Sequence, residues 1–417
     1  MSVRPGSGSE FYDIAIVGGG MVGASLAVAL EGLGVRTALV EAVPHDAAAQ
    51  PSFDERTTAL SNGSRRILET LGVWQDLANA ATRIAKIHVS DQGHFGFARI
   101  DAAELGRDAL GHVVPNRALG AALWSRLSRR ADLDVFCPAR VSTIDIREDA
   151  VELRMAPDRI LQARLVVAAD GIDSAVRKAF GVGVDTRDYE QAAIITTVLP
   201  AKFHEHVAYE RFTSSGPLAL LPIADGRCTL VLTLSPAAAE AALGWSDQQF
   251  LTEVQTRFGW RLGRLLKVGQ RRAYPLSLSR AQRSSAGRCI MVGNAAQALH
   301  PVAGMGFNLG LRDVASLAEL IADRCGEGRG DGRGELDSVA AAYDAWRAPD
   351  RRDVIAFTDG LVRVFASPWG PVRRLRNLGL LAFDLLPPAK AALSALSTGA
   401  AGRIPKLARG VPLRAAS

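Results

Sequence analysis

Near its N-terminus the chain sets Gly18-Gly19-Gly20-Met21-Val22-Gly23 between an apolar stretch, Asp13–Val17, and a run with Leu26, Ala29, Leu30 and Leu33 at helical spacing. A GxGxxG turn that ends a strand and starts a helix commits the chain to a βαβ unit and a parallel sheet. The second strand of that unit follows at Arg36–Glu41. Gly18, Gly20 and Gly23 leave room for a pyrophosphate, whose charge would rest on the helix N-terminus at Met21 and Val22. Glu41, 18 residues beyond Gly23, stands where a carboxylate accepts hydrogen bonds from ribose hydroxyls. A glycine turn with no ligand is the plainer alternative, and strand, helix and acid together argue against it. By itself the turn suits NAD as well as FAD.

Two more strand ends carry polar groups. After the apolar Leu165–Ala169 comes Asp170-Gly171-Ile172-Asp173-Ser174-Ala175-Val176-Arg177, with Ser174 and Arg177 in the first turns of a predicted helix. Alone, this segment reads equally as an Asp-Gly turn with Ser174 starting the helix. After Arg288–Val292 comes Gly293-Asn294-Ala295-Ala296, which runs on to Pro301, Gly304, Met305, Gly306, Phe307 and Asn308. Pro301 can fix a turn, while Gly304 and Gly306 leave main-chain N–H groups uncovered at a helix start. Such a nest stabilises a developing anion.

The length of 417 residues suits two or three domains, and 48% hydrophobic with 22% charged residues excludes wholesale disorder. Val141–Ile146, Val151–Met155 and Leu161–Ala169 predict a meander. Ile194–Leu199, Val207–Phe212, Leu218–Ile223 and Cys228–Leu234 predict a second, antiparallel sheet, followed by a helix at Asp247–Phe258. Further helices are expected at Ser61–Leu71, capped by Ser61, at Arg117–Arg130 and at Phe307–Asp323. The run Ile14–Leu30 has 17 uncharged residues, short for a membrane span, and the N-terminus lacks the apolar region of a secretory signal.

Other chemistries find little support. Cys137, Cys228, Cys289 and Cys325 form no CxxC pair, which excludes a disulfide scaffold or zinc ribbon and fits a reducing compartment. His204-Glu205-His206 has no third ligand and reads as an exposed polar pair, so no metal site is expected. GxSxG is absent, and His300 beside Pro301 reads as a positioning residue, not a proton carrier. The net charge of +6 is concentrated at the end: Leu361–Ser417 holds nine basic residues against Asp384, leaving −2 on the first 360. The basic balance therefore belongs to the tail and says nothing for nucleic acid along the body, and no nucleic-acid partner is expected.

In order, GGGMVG with Glu41, DGIDSAVR and GNAAQALHPVAGMGFNLGLRD resemble the three fingerprints of the FAD-dependent aromatic hydroxylases, the single-component flavoprotein monooxygenases. Phe53–Ser61 (FDERTTALS) and the GNAAQ and LHPVAG stretches narrow the resemblance to the ubiquinone-biosynthesis branch, nearest to its 2-polyprenyl-6-methoxyphenol hydroxylases. The resemblance implies an α/β fold with a Rossmann-like, para-hydroxybenzoate-hydroxylase-like FAD-binding domain from residues 1–75, 98–180 and 280–350. A mostly antiparallel substrate domain, 76–97 and 181–279, would interrupt it, with a helical, basic, membrane-facing segment at 351–417.

It also implies FAD, NADH or NADPH as electron donor, O2 as co-substrate, and hydroxylation of a polyprenylated phenol in ubiquinone biosynthesis through a flavin C4a-hydroperoxide. Gly18, Gly20, Met21, Val22, Gly23 and Glu41 would hold the ADP half. Arg56 and Arg117 would contact phosphates or the ribityl chain, and Asp170, Gly171 and Asn294 would lie nearby. Pro301, Gly304, Gly306, Phe307 and Asn308 would face the flavin ring. Asn294 replaces the aspartate of most of the superfamily, and Met305 replaces the branch's usual glutamine, so altered flavin-loop contacts are expected at Met305. The implied partners are a polyprenylphenol, other ubiquinone-biosynthesis proteins and the cytoplasmic face of the inner membrane. The last would be met by the tail, where Val362, Phe365, Trp369 and Leu375 to Leu393 interleave with basic residues. A prenyl-lipid reductase, a hydroxylase of another ring or ring position, or an FAD-bound scaffold would share these motifs.

Overall fold

The computed structural model describes residues 10–47, 50–156, 159–327, 335–366 and 402–414. Its first sheet grows outward from β1 (Glu10–Val17). On one side lie β2 (Thr37–Val40) and β8 (Leu133–Phe136); on the other lie β11 (Arg159–Ala168), β19 (Cys289–Met291) and β18 (Ser285–Ala286). The pairing is parallel from β8 to β19, and Ile14 stands in register with both Thr37 and Leu165. Both faces are covered, so the strands are apolar throughout. Ile14 and Ile16 join the core beneath α1 (Met21–Ala29), α4 (Asn116–Leu127) and α8 (Met305–Glu327). Ala15 and Val17 face a second core closed by the meander of β9 (Val141–Ile146) and β10 (Val151–Met155).

A small antiparallel sheet of β3 (Thr57–Ser61), β7 (Gly111–Pro115) and β4 (Thr82–Ile84) joins this body to the next. α2 (Asn62–Thr70) starts directly after β3, where the Ser64 N–H donates to the Ser61 hydroxyl at 3.2 Å. α3 (Trp74–Leu77) follows it.

The second large sheet contains β5 (Lys86–Asp91), β6 (Phe97–Asp101), β12 (Val184–Pro200), β13 (Val207–Thr213), β14 (Gly216–Pro222), β15 (Cys228–Leu234), β16 (Leu265–Val268), β17 (Arg272–Ala281) and β20 (Gln297–Ala298). Its period-two pattern is clean. Leu218, Leu220, Leu230 and Leu232 pack beneath α6 (Pro236–Leu243) and α7 (Asp247–Phe258). The residues between them, Ala219, Leu221, Thr229 and Val231, face a cavity against the first body.

Four expectations need correction. β6 crosses the expected boundary at residue 97, because it pairs back on β5 with Lys86 opposite Asp101. β12 extends well beyond Ile194–Leu199, since its first half is paired with β17. α8 begins at Met305, directly after Gly304 turns left-handed with φ +59°. His204 and His206 are not an exposed pair: His204 is 1% exposed, with Nε2 3.0 Å from the Ile223 carbonyl oxygen.

The C-terminal residues divide. α9 (Glu335–Ala366) packs along α8, with Val362 buried against Phe212 and Val302. Residues 402–414 lie back on the first body: Leu407 is in its core, Arg403 pairs with Glu319 at 3.0 Å and Lys406 with Asp323 at 2.6 Å. Those cations are engaged within the protein, which corrects part of the expected membrane-facing segment. Trp369 and the leucines from Leu375 to Leu393 lie outside the described residues. No described helix is long and apolar enough to cross a membrane.

Candidate active site

One cavity of about 810 Å³ lies between the strand ends of the first sheet and the open face of the second. Of the residues singled out from sequence, Gly20, Met21, Val22, Arg56, Asp170, Gly171, Asn294, Pro301, Gly304, Gly306 and Phe307 line it. Gly18, Gly23, Glu41, Arg117 and Asn308 are not on its wall.

The first turn is shaped by close approach. Gly18 has φ +104°, and a Cβ there would lie 2.4 Å from the Ala169 carbonyl oxygen. A Cβ on Gly23 would fall 1.8 Å from the Gly18 carbonyl oxygen, so only glycine lets α1 start this close to β1. Glu41 is 8% exposed and already employed: its carboxylate accepts the main-chain N–H groups of Gly19 and, at 2.8 Å, Val43. It braces the turn. The Trp124 indole donates to the Gly19 carbonyl at 3.2 Å from the other side.

The second and third turns are joined by a buried guanidinium. Arg177, 4% exposed, donates to the carbonyls of Ala295 at 2.9 Å and Ile172 at 2.8 Å. Behind the third turn Asp313 is fully buried and accepts from the Gly293 N–H at 3.2 Å, Gln297 at 2.9 Å and Arg347 at 2.8 Å. Burial works to raise its carboxyl, but the Arg351 and Arg347 guanidiniums hold it below the usual carboxylate range. Thus α9 reaches under α8 to fix the Gly293–Asn294 turn.

The remaining residues sort by partner. Arg56 is oriented toward Asp54 at 2.7 Å and lies over the Tyr274 ring at 4.7 Å, on the cavity wall. Arg117 is exposed and paired with Glu55 at 2.7 Å, away from the cavity. The Asn308 side chain spans β3 and the Gly304 loop: it accepts from the Ser61 N–H and donates to the Ala59 and Gly304 carbonyls, each at 2.8 Å. It supports the loop from behind. Met305 is 2% exposed and packs with Leu309 and Val354, so its side chain belongs to the core and does not alter the loop's cavity face. His300 accepts the Val302 N–H at Nδ1 at 3.1 Å, and burial lowers its pKa to about 4, leaving a neutral ring.

Two residues carry no signal in the sequence. Asp313 holds the Gly293 turn from behind the cavity wall. Glu210, on β13, was invisible among the strand's alternating residues. No group of three or more His, Cys, Asp or Glu is gathered closely enough for a metal among the described residues.

An extended dinucleotide such as FAD fits these residues. The Asp170 Oδ1 is buried without a hydrogen-bond partner among the described residues, an acceptor that a ligand's donor would satisfy. The glycine turn and the exposed Asn294 stand at the same strand edge.

The sequence pattern of the family described as FAD binding domain matches residues 12–357. The chain is 37% identical over 415 residues to the ubiquinone hydroxylase UbiL of Rhodospirillum rubrum, with 98% of this chain and 95% of that protein covered. It is 32% identical over 375 residues to the 3-demethoxyubiquinol 3-hydroxylase of Escherichia coli, with 89% and 94% covered. Among solved structures, p-nitrophenol 4-monooxygenase PnpA from Pseudomonas putida matches with a TM-score of 0.77 at 20% identity, covering 94% of this chain and 99% of that one. That likeness concerns the fold.

Proposed function

This chain belongs to the FAD binding domain family, as one of its FAD-dependent monooxygenases, and we propose that it hydroxylates the ring of a polyprenylated phenol in ubiquinone biosynthesis. The observation that carries this reading is a single cavity with two unlike walls. One wall consists of the three glycine-containing turns; the other is a sheet face on which Ile195, Ala219, Leu221 and Val231 give an apolar surface for an aromatic ring, with Thr229 and Thr233 beside them.

FAD, when bound, supplies the redox chemistry with NAD(P)H and O2. The chain's residues bind and orient. Main-chain N–H groups at Met21 and Val22 would receive the pyrophosphate on the N-terminus of α1, with Arg56 as a nearby cation. Asp170 Oδ1 would accept a hydroxyl of the cofactor. Main-chain N–H groups of the Gly304–Phe307 turn would stabilise negative charge on the flavin, and the largely apolar sheet face would limit water around the substrate. Neutral His300 holds the loop's shape through Val302.

Peripheral attachment to an anionic membrane surface completes the reading, because a polyprenyl chain resides in a bilayer. Its support is the basic, apolar composition of the tail. The test of the activity is direct. Holoenzyme given NADH or NADPH, a short-chain polyprenylphenol and ¹⁸O2 should place one labelled oxygen on the ring, located by mass spectrometry and NMR. Oxidation of NAD(P)H that yields only hydrogen peroxide with every phenol tried would overturn it.

A further inference from the structure

Among the residues of the second sheet that line the cavity, one carries a carboxyl group. Across the second sheet Glu210 on β13 stands in register with Val89 on β5 and Ala219 on β14; Ala219 stands opposite Val231, and Val231 opposite Ile195. Four of the five residues in that row are apolar. Glu210 is the one carboxylic acid in it, and it lines the cavity.

Its position along the strand is equally defined. Two residues before it, Ala208 packs with Ile84 and Val113 of the small sheet; two residues after it, Phe212 packs with Val302 of the Pro301–Gly304 loop. Glu210 is therefore about 7 Å along the strand from the side chain that touches the glycine loop. It has no hydrogen-bond or ion-pair partner among the described residues. An unpaired carboxylate at the edge of an apolar surface costs folding free energy, and such a group is retained where a ligand completes it.

We propose that Glu210 is the catalytic base for the substrate's phenol group, positioned beside an aromatic ring that lies on Ala219, Val231 and Ile195. The inference rests on the reading of the substrate as a phenol. The phenol O–H bond breaks as the ring carbon forms its new C–O bond to one oxygen atom derived from O2; the O–O bond breaks, and the other oxygen leaves as water with the two electrons that NAD(P)H supplies. The O–H electron pair stays on the phenol oxygen and feeds the ring, and the proton passes to a Glu210 carboxylate oxygen. As the ring regains aromaticity its carbon gives up hydrogen as a proton to solvent and the phenol oxygen takes its proton back from Glu210, with no net redox change on the protein.

Electrostatics agree with this role. Burial alone pushes the Glu210 carboxyl up to about 7, and no charged group contributes to the rise. Val89 and Ala219 are its neighbours on the adjoining strands, and Arg56, Asp170, Asp173, Tyr209 and His300 are the titratable groups that share the cavity wall. A base with that affinity is matched to neutral solution.

The test uses FAD-loaded enzyme without NAD(P)H, titrated at pH 7 with a short-chain prenylated methoxyphenol and with its O-methyl ether. Calorimetry in two buffers of different ionisation enthalpy reads the protons released. A phenol that donates to the carboxylate selects its ionised form, so wild type should release up to about half a proton per phenol bound and none with the ether. Glu210→Gln should bind the phenol without release. Its hydroxylation rate should fall on the order of 100-fold and lose the wild-type rise through about pH 7. Glu210→Asp should keep a pH-dependent rise at reduced rate. Equal release by Glu210→Gln, equal release with the ether, or an unchanged pH profile would overturn the assignment. If Glu210→Gln fails to retain FAD, the wild-type comparison of phenol with ether decides the matter. Proton release by wild type without any ring hydroxylation would overturn the proposed activity while leaving the proton acceptor in place.

Discussion

Gly23 and Gly306 both belong to glycine-rich turns, yet the space around them differs completely. A methyl group on Gly23 has nowhere to go, 1.8 Å from a carbonyl oxygen, whereas one on Gly306 meets nothing within 4 Å. Gly23→Ala should therefore lower the melting temperature and leave protein purified without its yellow colour. Gly306→Val should fold, retain FAD, and hydroxylate on the order of 10²–10³-fold more slowly, because the branched side chain covers the N–H groups the ring needs. An absorbance spectrum and turnover rates separate the two. His300 supplies a pH prediction of definite sign. Its folded pKa of about 4 lies below the unfolded value of 6.5, so between those limits the unfolded chain holds more protons and stability falls as pH falls. His300→Asn, which keeps an acceptor for the Val302 N–H, should flatten the drop in urea midpoint between pH 6.5 and 4.

At the scale of elements, the third turn depends on charges from another helix. Arg347 and Arg351 of α9 neutralise Asp313 of α8, which in turn accepts the Gly293 N–H. Asp313→Asn would leave two buried guanidiniums short of a partner and should cost about 3–5 kcal/mol. Chemical denaturation would measure this, and FAD affinity should weaken with it. Elements of this kind were legible to different degrees. β1, α1 and the glycine turn could be read from sequence because strand, turn and helix signals are all local there. β9, β10, β15 and α7 were legible for the same reason, and the structure adds for α7 a Ser246 cap that accepts from the Gln249 N–H. Partnerships were not. Nothing near Glu41 announces that its carboxylate serves Gly19, and the phosphate or ribityl contact that the resemblance implied for Arg117 meets a side chain already claimed by Glu55. Glu210 escaped notice because its meaning lies in Val89, Ala219 and Val231, which come from three other strands.

For the whole molecule, the uneven charge predicts its behaviour at a surface. Arg363, Arg403 and Lys406 already have carboxylate partners in Asp359, Glu319 and Asp323, so attachment should rest on the basic residues between them. Full-length protein should float with anionic liposomes at low salt and detach at high salt, while reversal of Arg373, Arg374 and Arg376 to glutamate abolishes flotation without loss of FAD. Flotation that survives the reversal would remove the tail from the account. The strand order of the first sheet has a consequence of another kind, one of timing. β1 leaves the ribosome early but waits for β11, and β11 waits for β19, while Asp313 has no counter-charge until Arg347 and Arg351 have been made. At ordinary rates of synthesis the glycine turn exists for on the order of tens of seconds before its neighbours arrive. A nascent chain halted before α9 should thus emerge colourless and in need of a chaperone, and cofactor capture becomes one of the last events in this protein's making.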